Sequence, residues 1–368
     1  MAERRTYTNP VYAGYFADPF AWEHGGTYYA IGTGAPEAAG QVDRAVDQRV
    51  EENRNTTVAA SVDKVGKIVG KITDASVFPL LYSEDFVTWQ FAGHALVRPD
   101  PALGDSFWAP EVAYCDGIFY LYYSVGWEDK QHQLRVATSE HPLGPYYDIG
   151  SPLLQTDPPF AIDPHPFRDD DGQWYLFYAC DFLDTAAGAR AGTALKVDRL
   201  VNMTQLAGES RVVLRARSDW QRFLTNRSMY GGIYDWHTLE GPCVRKYAGR
   251  YYCFYSGGRW ETESYGVDYG VADTVMGNYS DAGNESGPRV LRSIPDRVLG
   301  PGHNSIVVSP DHQDEYIVYH AWNQSKTKRQ MCLDKLIWTP DGPRCLGPTW
   351  LPQTVNRADS CISNNRLI

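Results

Sequence analysis

The sequence predicts an all-β protein, a single five-bladed β-propeller over residues 1–368. Three observations carry this. A phrase recurs five times: a polar residue in a turn, an apolar stretch, a tight Gly- or Asp-containing turn, then an aromatic strand. Its fullest copy is AIDPHPFRDDDGQWYLFYAC, Ala161–Cys180. The aromatic content, 25 Tyr, 13 Phe and 11 Trp, suits strands and also surfaces that stack on sugar rings. The copies lie about 72 residues apart, the length of a four-stranded sheet with its loops. Five such sheets closed in a ring make a propeller. A β-sandwich is the alternative, but it needs no five matched leads.

The copies follow in chain order. Copy one is Ala17-Asp18-Pro19-Phe20, then Gly25–Ile31. Copy two is Trp108–Val112, then Asp116–Tyr123. Copy three is the phrase above. Copy four is Glu240–Val244, then Ala248–Tyr255. Copy five is Gly302–Val307, then Asp314–Tyr319. The second-strand tyrosines Tyr29, Tyr120, Tyr175, Tyr252 and Tyr316 align them. The leading polar residues are Asp18, Glu111, Asp163, Glu240 and His303, at 11, 9, 12, 12 and 13 positions before those tyrosines. The first strand of each blade lines the axis of a propeller. The five leads are therefore expected around one end of a central channel.

Residues 36–76 break the pattern and form an insertion in blade one. Gln41–Asn55 is polar and helix-friendly, with a thin apolar face. It is either a solvated excursion or a lid or subunit contact near the channel mouth. The segment Gly342–Ile368 is too short for a second domain. It is expected to return to blade five or blade one and close the ring.

Acids outnumber bases, 45 to 34, for a net charge of −11. No basic cluster interleaves with the aromatics, which argues against nucleic acid. An anionic polymer would be repelled, whereas a neutral substrate fits. No apolar run approaches the ~18 residues of a membrane span. Met1–Tyr7 carries charge without an apolar stretch behind it, so no signal peptide is expected. The compartment stays open: cytoplasmic if Met1 is the native start, extracellular if a leader was removed. Asn-x-Ser/Thr at Asn55, Asn202, Asn226, Asn278, Asn284 and Asn323 hints at a secretory history. The seven cysteines have no metal spacing and are expected as buried free thiols. Oligomerisation is left open.

Two carboxyls facing across a sugar ring are the minimum for glycoside hydrolysis. A third close to the acid raises its pKa by like-charge repulsion. Asp18, Asp163 and Glu240 can supply this trio. Each alone is ordinary, since Asp-Pro starts turns and Glu-Gly-Pro can be a loop. At matched positions in three repeats they are harder to dismiss.

FADPF (16–20), FWAPEV (107–112), AIDPHPFRDDDG (161–172), EGPCVRK (240–246) and GPGHNSIVV (300–308) resemble glycoside hydrolase family 43. So do FPLLYSEDFVTWQFAG (78–93) and VYHAW (318–322). The resemblance covers nearly the whole chain outside the insertion, in family order. The Asn-Asp-Pro-Asn-Gly opening of levansucrase and invertase relatives is absent. The resemblance implies an inverting glycosidase acting on arabinose- or xylose-containing polymers. Asp18 would be the general base on water, Glu240 the general acid, and Asp163 the residue that tunes and orients the acid. Trp108 and Glu111 would line the sugar pocket, with Phe16 and His165 as further substrate contacts and His320 behind them. No cofactor is implied for the chemistry. His303 would help hold a structural calcium or sodium ion, or a water cluster, on the axis; a satisfied channel histidine is the other reading. The family's large β-xylosidases carry a C-terminal β-sandwich, for which this chain ends too early. That tilts the expectation to an exo-α-L-arabinofuranosidase on arabinan or arabinoxylan side chains, then a β-D-xylosidase, then an endo-arabinanase. A sugar-binding propeller without activity is the non-enzyme alternative; the intact trio argues against it. If Asp18 acts on water, its carboxyl should stand about 6.5–9.5 Å from that of Glu240.

Overall fold

The computed structural model of the chain describes residues 4–35, 76–281 and 286–356. The insertion expected at 36–76 lies outside them apart from Ser76, as do Cys361 and the rest of the last twelve residues. After β1 (Arg4–Tyr7), blade I holds β2 (Ala17–His24), β3 (Thr27–Thr33), β4 (Ser76–Ser83) and β5 (Gln90–Val97). Blade II holds β6 (Ser106–Cys115), β7 (Ile118–Trp127), β8 (Lys130–Ser139) and β9 (Tyr147–Asp148). Blade III holds β10 (Ala161–Arg168), β11 (Trp174–Phe182) and β12 (Gly192–Asn202), with β13 (Gln205–Leu206) and β14 (Arg211–Leu214) both paired to β12. Blade IV holds β15 (Arg222–Met229), β16 (Gly232–Tyr247), β17 (Arg250–Gly257) and β18 (Gly266–Ala272). Blade V holds β19 (Leu299–Val308), β20 (Glu315–Trp322), β21 (Arg329–Thr339) and β22 (Gly342–Cys345), and β23 (Gln353–Asn356) follows it.

The inner strands β2, β6, β10, β16 and β19 touch one another in that order, and β19 touches β2. The five blades therefore form a closed ring. The first and last described strands meet as well, because β1 pairs antiparallel with β23. Blades III and IV are joined further by a short parallel pairing of Gly192 with His237 and Thr193 with Thr238.

The aromatic wealth of the sequence lies between the blades. Five buried clusters fill the five joints: Phe16, Tyr28, Leu81, Val318 and Leu333 between V and I; Ile31, Leu80, Leu121 and Tyr123 between I and II. Tyr122, Val136, Leu176 and Tyr178 pack II on III; Phe177, Leu195, Cys253 and Tyr255 pack III on IV; Phe254, Tyr269, Ile317 and Tyr319 pack IV on V. Each sheet is thus apolar on both faces, which a ring requires and a two-layer sandwich does not. The six described cysteines are free, and Cys180, Cys243, Cys253 and Cys332 are buried. Among the described residues no helix is long and apolar enough to cross a membrane.

Each inner strand carries a β-bulge, near its start in four of them and midway along β16: between Ala17 and Phe20, Trp108 and Glu111, Ile162 and His165, Glu240 and Cys243, and Gly302 and Ser305. One residue in each bulge is left-handed: Asp18 (φ 50°), Ala109 (φ 47°), Asp163 (φ 57°), Gly241 (φ 57°) and His303 (φ 50°). Proline follows in four of them, Pro19, Pro110, Pro164 and Pro242, and Asn304 in the fifth. A bulge interrupts the ladder, so a residue without an N–H is tolerated there.

The left-handed residue's own N–H is taken up by a neighbouring blade. Asp18 donates to His320 Nδ1 (3.1 Å), Ala109 to Thr33 Oγ1 (2.9 Å), Gly241 to Asp163 Oδ2 (2.8 Å) and His303 to Ser256 Oγ (2.7 Å). Left-handed backbone costs a non-glycine residue about 1–2 kcal/mol, so it persists where surrounding contacts enforce it. Four of the five joints supply such a contact at the mouth of the channel.

The bulges correct the expected ring of leads. The aligned tyrosines do share one place, each two residues before the partner of the first post-bulge residue. The equivalent set, however, is Asp18, Ala109, Asp163, Gly241 and His303. Glu111 stands two residues beyond its bulge position and Glu240 one before it. A strand reverses face at every residue, so these offsets send Glu111 and Glu240 to different surroundings.

Candidate active site

Three of the five left-handed positions carry titratable side chains, and these converge. His303 Nδ1 lies 3.5 Å from Asp18 Oδ1 and 4.0 Å from Asp163 Oδ2. The fourth position is glycine for two reasons. Its φ is +57°, and a Cβ there would stand 3.1 Å from the His303 ring. Glu240, immediately before it, has Oε1 bound by the Tyr265 hydroxyl at 2.7 Å.

Asp18 is surrounded by nitrogen. Arg329 Nη1 donates to its Oδ1 at 3.2 Å, and His320 Nδ1 lies 3.4 Å away. Burial pushes the Asp18 carboxyl up, but Arg329 above all, then His303, His320 and the Thr33 hydroxyl, outweigh it and hold it well below the usual carboxylate range. Arg329 is fixed in turn. Its Nε and Nη2 donate to the Tyr15 hydroxyl at 3.2 and 3.1 Å, and its guanidinium lies over Trp260 at 4.7 Å. Because His320 Nδ1 accepts the Asp18 N–H, that ring is neutral with its proton on Nε2. Burial and the Arg329 charge drive its pKa far down.

Asp163 and Glu240 have the opposite company. Burial, then Glu240, then Asp18 raise the Asp163 carboxyl well above its ordinary value, against one backbone N–H from Gly241. Burial raises Glu240 to about 7, opposed by the Tyr265 hydrogen bond and reinforced by Asp18. Both carboxyls are thus pushed toward the neutral form, Asp163 by burial and by the charges of Glu240 and Asp18, Glu240 by burial and Asp18. Asp163 is not the simple fixed charge that the sequence suggested, because it is itself pushed toward the neutral form.

Three expectations change. Phe16 has no exposed surface and packs in the joint between blades V and I, edge-on to Tyr12. It cannot touch a sugar. Glu111 and His165 are each only 6% exposed. His165 Nδ1 donates to Glu111 Oε2 at 2.7 Å, while Nε2 accepts the Val244 N–H at 2.9 Å. This chain ties blades II, III and IV beneath the mouth and leaves His165 no free nitrogen for a substrate. Trp108 is partly exposed, with one ring face backed by His132 at 3.8 Å.

His303 meets no set of co-ligands. Among the described residues no group of three or more His, Cys, Asp or Glu converges to hold a metal. Its Nδ1 faces two carboxylates instead. Asn304 leaves both amide atoms, and His320 its Nε2, buried without a protein partner, places suited to bound water.

Arg329, Tyr265 and Ser256 were not singled out from the sequence. The tell-tale signal for Tyr265 is slight, since it is one of many tyrosines. Arg329 opens a third strand, 311 positions from Asp18, and nothing local marks it.

In sequence and in fold the chain is similar to known glycosidases of one family. The model of glycosyl hydrolases family 43 matches residues 7–343. A β-D-galactofuranosidase of Aspergillus niger is 31% identical over 231 residues, 61% of this chain and 57% of the relative. An extracellular exo-α-(1→5)-L-arabinofuranosidase of Streptomyces avermitilis is 23% identical over 351 residues, 92% of this chain and 62% of the relative. The chain thus spans about three fifths of the length of these curated relatives. The crystal structure of a thermostable family-43 glycoside hydrolase superposes with a TM-score of 0.74 at 27% identity, covering 96% of this chain and 100% of that one. An α-L-arabinanase of Cellvibrio cellulosa, complexed with arabinohexaose, shares the fold with a TM-score of 0.61 at 21% identity, over 90% and 95% of the two chains. With the family model matching all but the two ends, this chain belongs to glycosyl hydrolases family 43.

Proposed function

We propose that the protein is an inverting exo-glycosidase that releases α-L-arabinofuranose from neutral arabinan or arabinoxylan side chains. One arrangement carries the chemistry: of two carboxyls at one channel mouth, Asp18 is pushed toward its charged form by Arg329 and two imidazoles, and Glu240 toward its neutral form by burial and by Asp18. Asp18, held ionised, takes a proton from the attacking water. Glu240, held protonated, gives its proton to the leaving oxygen. Pairs of titratable groups pushed apart in this way mark the base and the acid. Asp163 keeps the proton on the acid side and anchors the Gly241 N–H, which fixes the backbone beside Glu240. His303 stands between the two sides, and Trp108 offers a ring face to the sugar.

Furanosides are supported by relatives named as furanosidases. The β-D-galactofuranosidase relative favours a second reading. A β-D-galactofuranosyl ring has the same configuration as an α-L-arabinofuranosyl ring and adds one exocyclic carbon, so a pocket built for one can admit the other.

The test is a panel of p-nitrophenyl glycosides: α-L-arabinofuranoside, β-D-galactofuranoside and β-D-xylopyranoside. The arabinofuranoside should give the highest kcat/KM, and proton NMR of the first turnovers should show the inverted anomer. A retained anomer would overturn the water mechanism. Preference for the galactofuranoside would replace the first substrate by the second. Tight sugar binding with no hydrolysis of any member would leave a binding propeller.

A further inference from the structure

The inner strand of blade IV exceeds the others. β16 has 16 residues, against 8 to 10 for β2, β6, β10 and β19. Its first part, Gly232–Thr238, precedes the bulge at Gly241 and projects past the ring of left-handed residues, paired with β15 as a hairpin. Blades II and III both hold this hairpin. Arg227 Nη2 donates to Asp129 Oδ2 in blade II at 2.6 Å, and the Tyr230 hydroxyl to Asp181 Oδ2 in blade III at 2.8 Å. The hairpin therefore walls one sector of the mouth.

Phe223 is the extra residue of a bulge in this hairpin, between Arg222 and Leu224. Bulges re-aim side chains. The Phe223 ring lies 5.6 Å from the guanidinium of Arg259, which belongs to the turn between β17 and β18. Arg259 is held at two further points. Its Nε donates to Glu261 at 2.8 Å, and its backbone N–H to Ser264 Oγ at 3.1 Å. Its side chain is still 40% exposed, and its two Nη groups have no hydrogen-bond partner among the described residues. The same turn carries Trp260, packed on Arg329, and Tyr265, which grips Glu240. One short segment thus both positions the proton donor, through Tyr265, and presents a fixed guanidinium fork.

We infer that Arg259, steadied by Phe223 and Glu261, binds the sugar on the leaving-group side of the scissile bond, its Nη groups donating to that sugar's neighbouring hydroxyls. This rests on the reading of Glu240 as the acid. The leaving oxygen takes its proton from Glu240, so the sugar it belongs to sits outward of that residue, against the hairpin and this turn. A guanidinium fork spans two adjacent oxygens. Its charge is already answered by Glu261, which suits hydroxyls rather than a second carboxylate.

The test compares α-1,5-arabinotriose, p-nitrophenyl α-L-arabinofuranoside and inhibition by free arabinose in the wild type and in Arg259→Leu. The expected loss in kcat/KM on the triose is about ten-fold, the scale of a hydrogen bond to a charged group. The nitrophenyl glycoside has no hydroxyls on its leaving group and should change by less than about two-fold, with arabinose inhibition unaltered. Phe223→Leu should give the same split at smaller size, and checks the outcome if Arg259→Leu folds poorly. An unchanged triose, or an equal loss on both substrates with weaker arabinose inhibition, overturns the inference. If the wild type prefers another glycoside of the panel, the substrate reading fails alone and the same split is measured with oligosaccharides of that sugar. If the wild type hydrolyses none, calorimetric binding of the triose decides, and equal affinity in wild type and Arg259→Leu overturns the inference.

Discussion

Asp18 and Asp163 occupy the same position in two different blades. Both are left-handed, both precede proline, and both are nearly buried, 9% and 6% exposed. Yet one carboxyl is held far below its ordinary pKa and the other well above it. The backbone delivers a carboxyl to the mouth in each case. The company it meets decides its charge: Arg329 and two imidazoles for Asp18, another carboxyl and a single N–H for Asp163. Repeat symmetry builds the site, and its chemistry comes from where the repeats differ.

The strongest test of this contrast removes the two acting carboxyls. Asp18→Asn and Glu240→Gln should each lower kcat by about 10²–10⁴-fold. The substrates should separate them. Nitrophenolate leaves without a proton, so Glu240→Gln should retain far more activity on the nitrophenyl glycoside than on arabinotriose. Asp18→Asn should lose both alike. Equal profiles for the two variants would break the comparison.

Arg329→Met comes next. Breaking a buried ion pair by removing one partner costs about 3–5 kcal/mol, which urea unfolding at pH 7 should reveal. The Asp18 carboxyl should rise, so the acidic limb of the kcat/KM profile should move to higher pH. An unmoved limb in a folded variant would show that Arg329 does not set the charge of Asp18.

Stability should then respond with opposite sign on the two sides. The folded Asp18 carboxyl lies below its unfolded value, so its contribution is present above the unfolded pKa and lost as pH falls. The folded Asp163 carboxyl lies above its unfolded value, so its contribution is full below the unfolded pKa and lost as pH rises through the folded one. Thermal melts at pH 8 should therefore show Asp18→Asn below the wild type and Asp163→Asn above it, with the Asp163→Asn gain absent near pH 4. Asp163→Asn should also shift the alkaline limb of the activity profile to lower pH, because Glu240 loses a carboxyl whose charge opposes its own ionisation. Changes of the same sign in the two variants would sink the contrast.

The smallest effect belongs to the position between the two sides. Gly241→Ala places a Cβ at φ +57°, 3.1 Å from the His303 ring. A cost of about 1–2 kcal/mol is expected from the left-handed backbone, with a further loss of activity as His303 shifts. A variant as stable and active as the wild type would mean that this backbone is not what fixes His303.

Much of this was legible in the chain. The strand tyrosines alternate with a period of two and mark one place in five sheets, so their alignment survives in the fold. Asp18, Asp163 and His303 stood out because each opens a repeat, and they do meet. Glu111 stood out for the same reason and was misplaced. The true equivalent is Ala109, two residues earlier, and the proline that follows it, Pro110, matches Pro19, Pro164 and Pro242; an alanine offered no chemistry to draw the eye to that place. Phe16 misled because an aromatic beside Asp18 reads equally as sugar platform or core.

The sequence by itself determined the five repeats, the strands and turns within them, and the supply of carboxyls at their heads. Those follow from propensity and periodicity, which act over a few residues. Only the tertiary structure decided which carboxyl is charged. Arg329 reaches Asp18 across 311 positions, and Asp163 binds the Gly241 N–H across 78. Such pairings arise when the ring closes, and the strength of a charge in a buried site depends on the distances that closure sets.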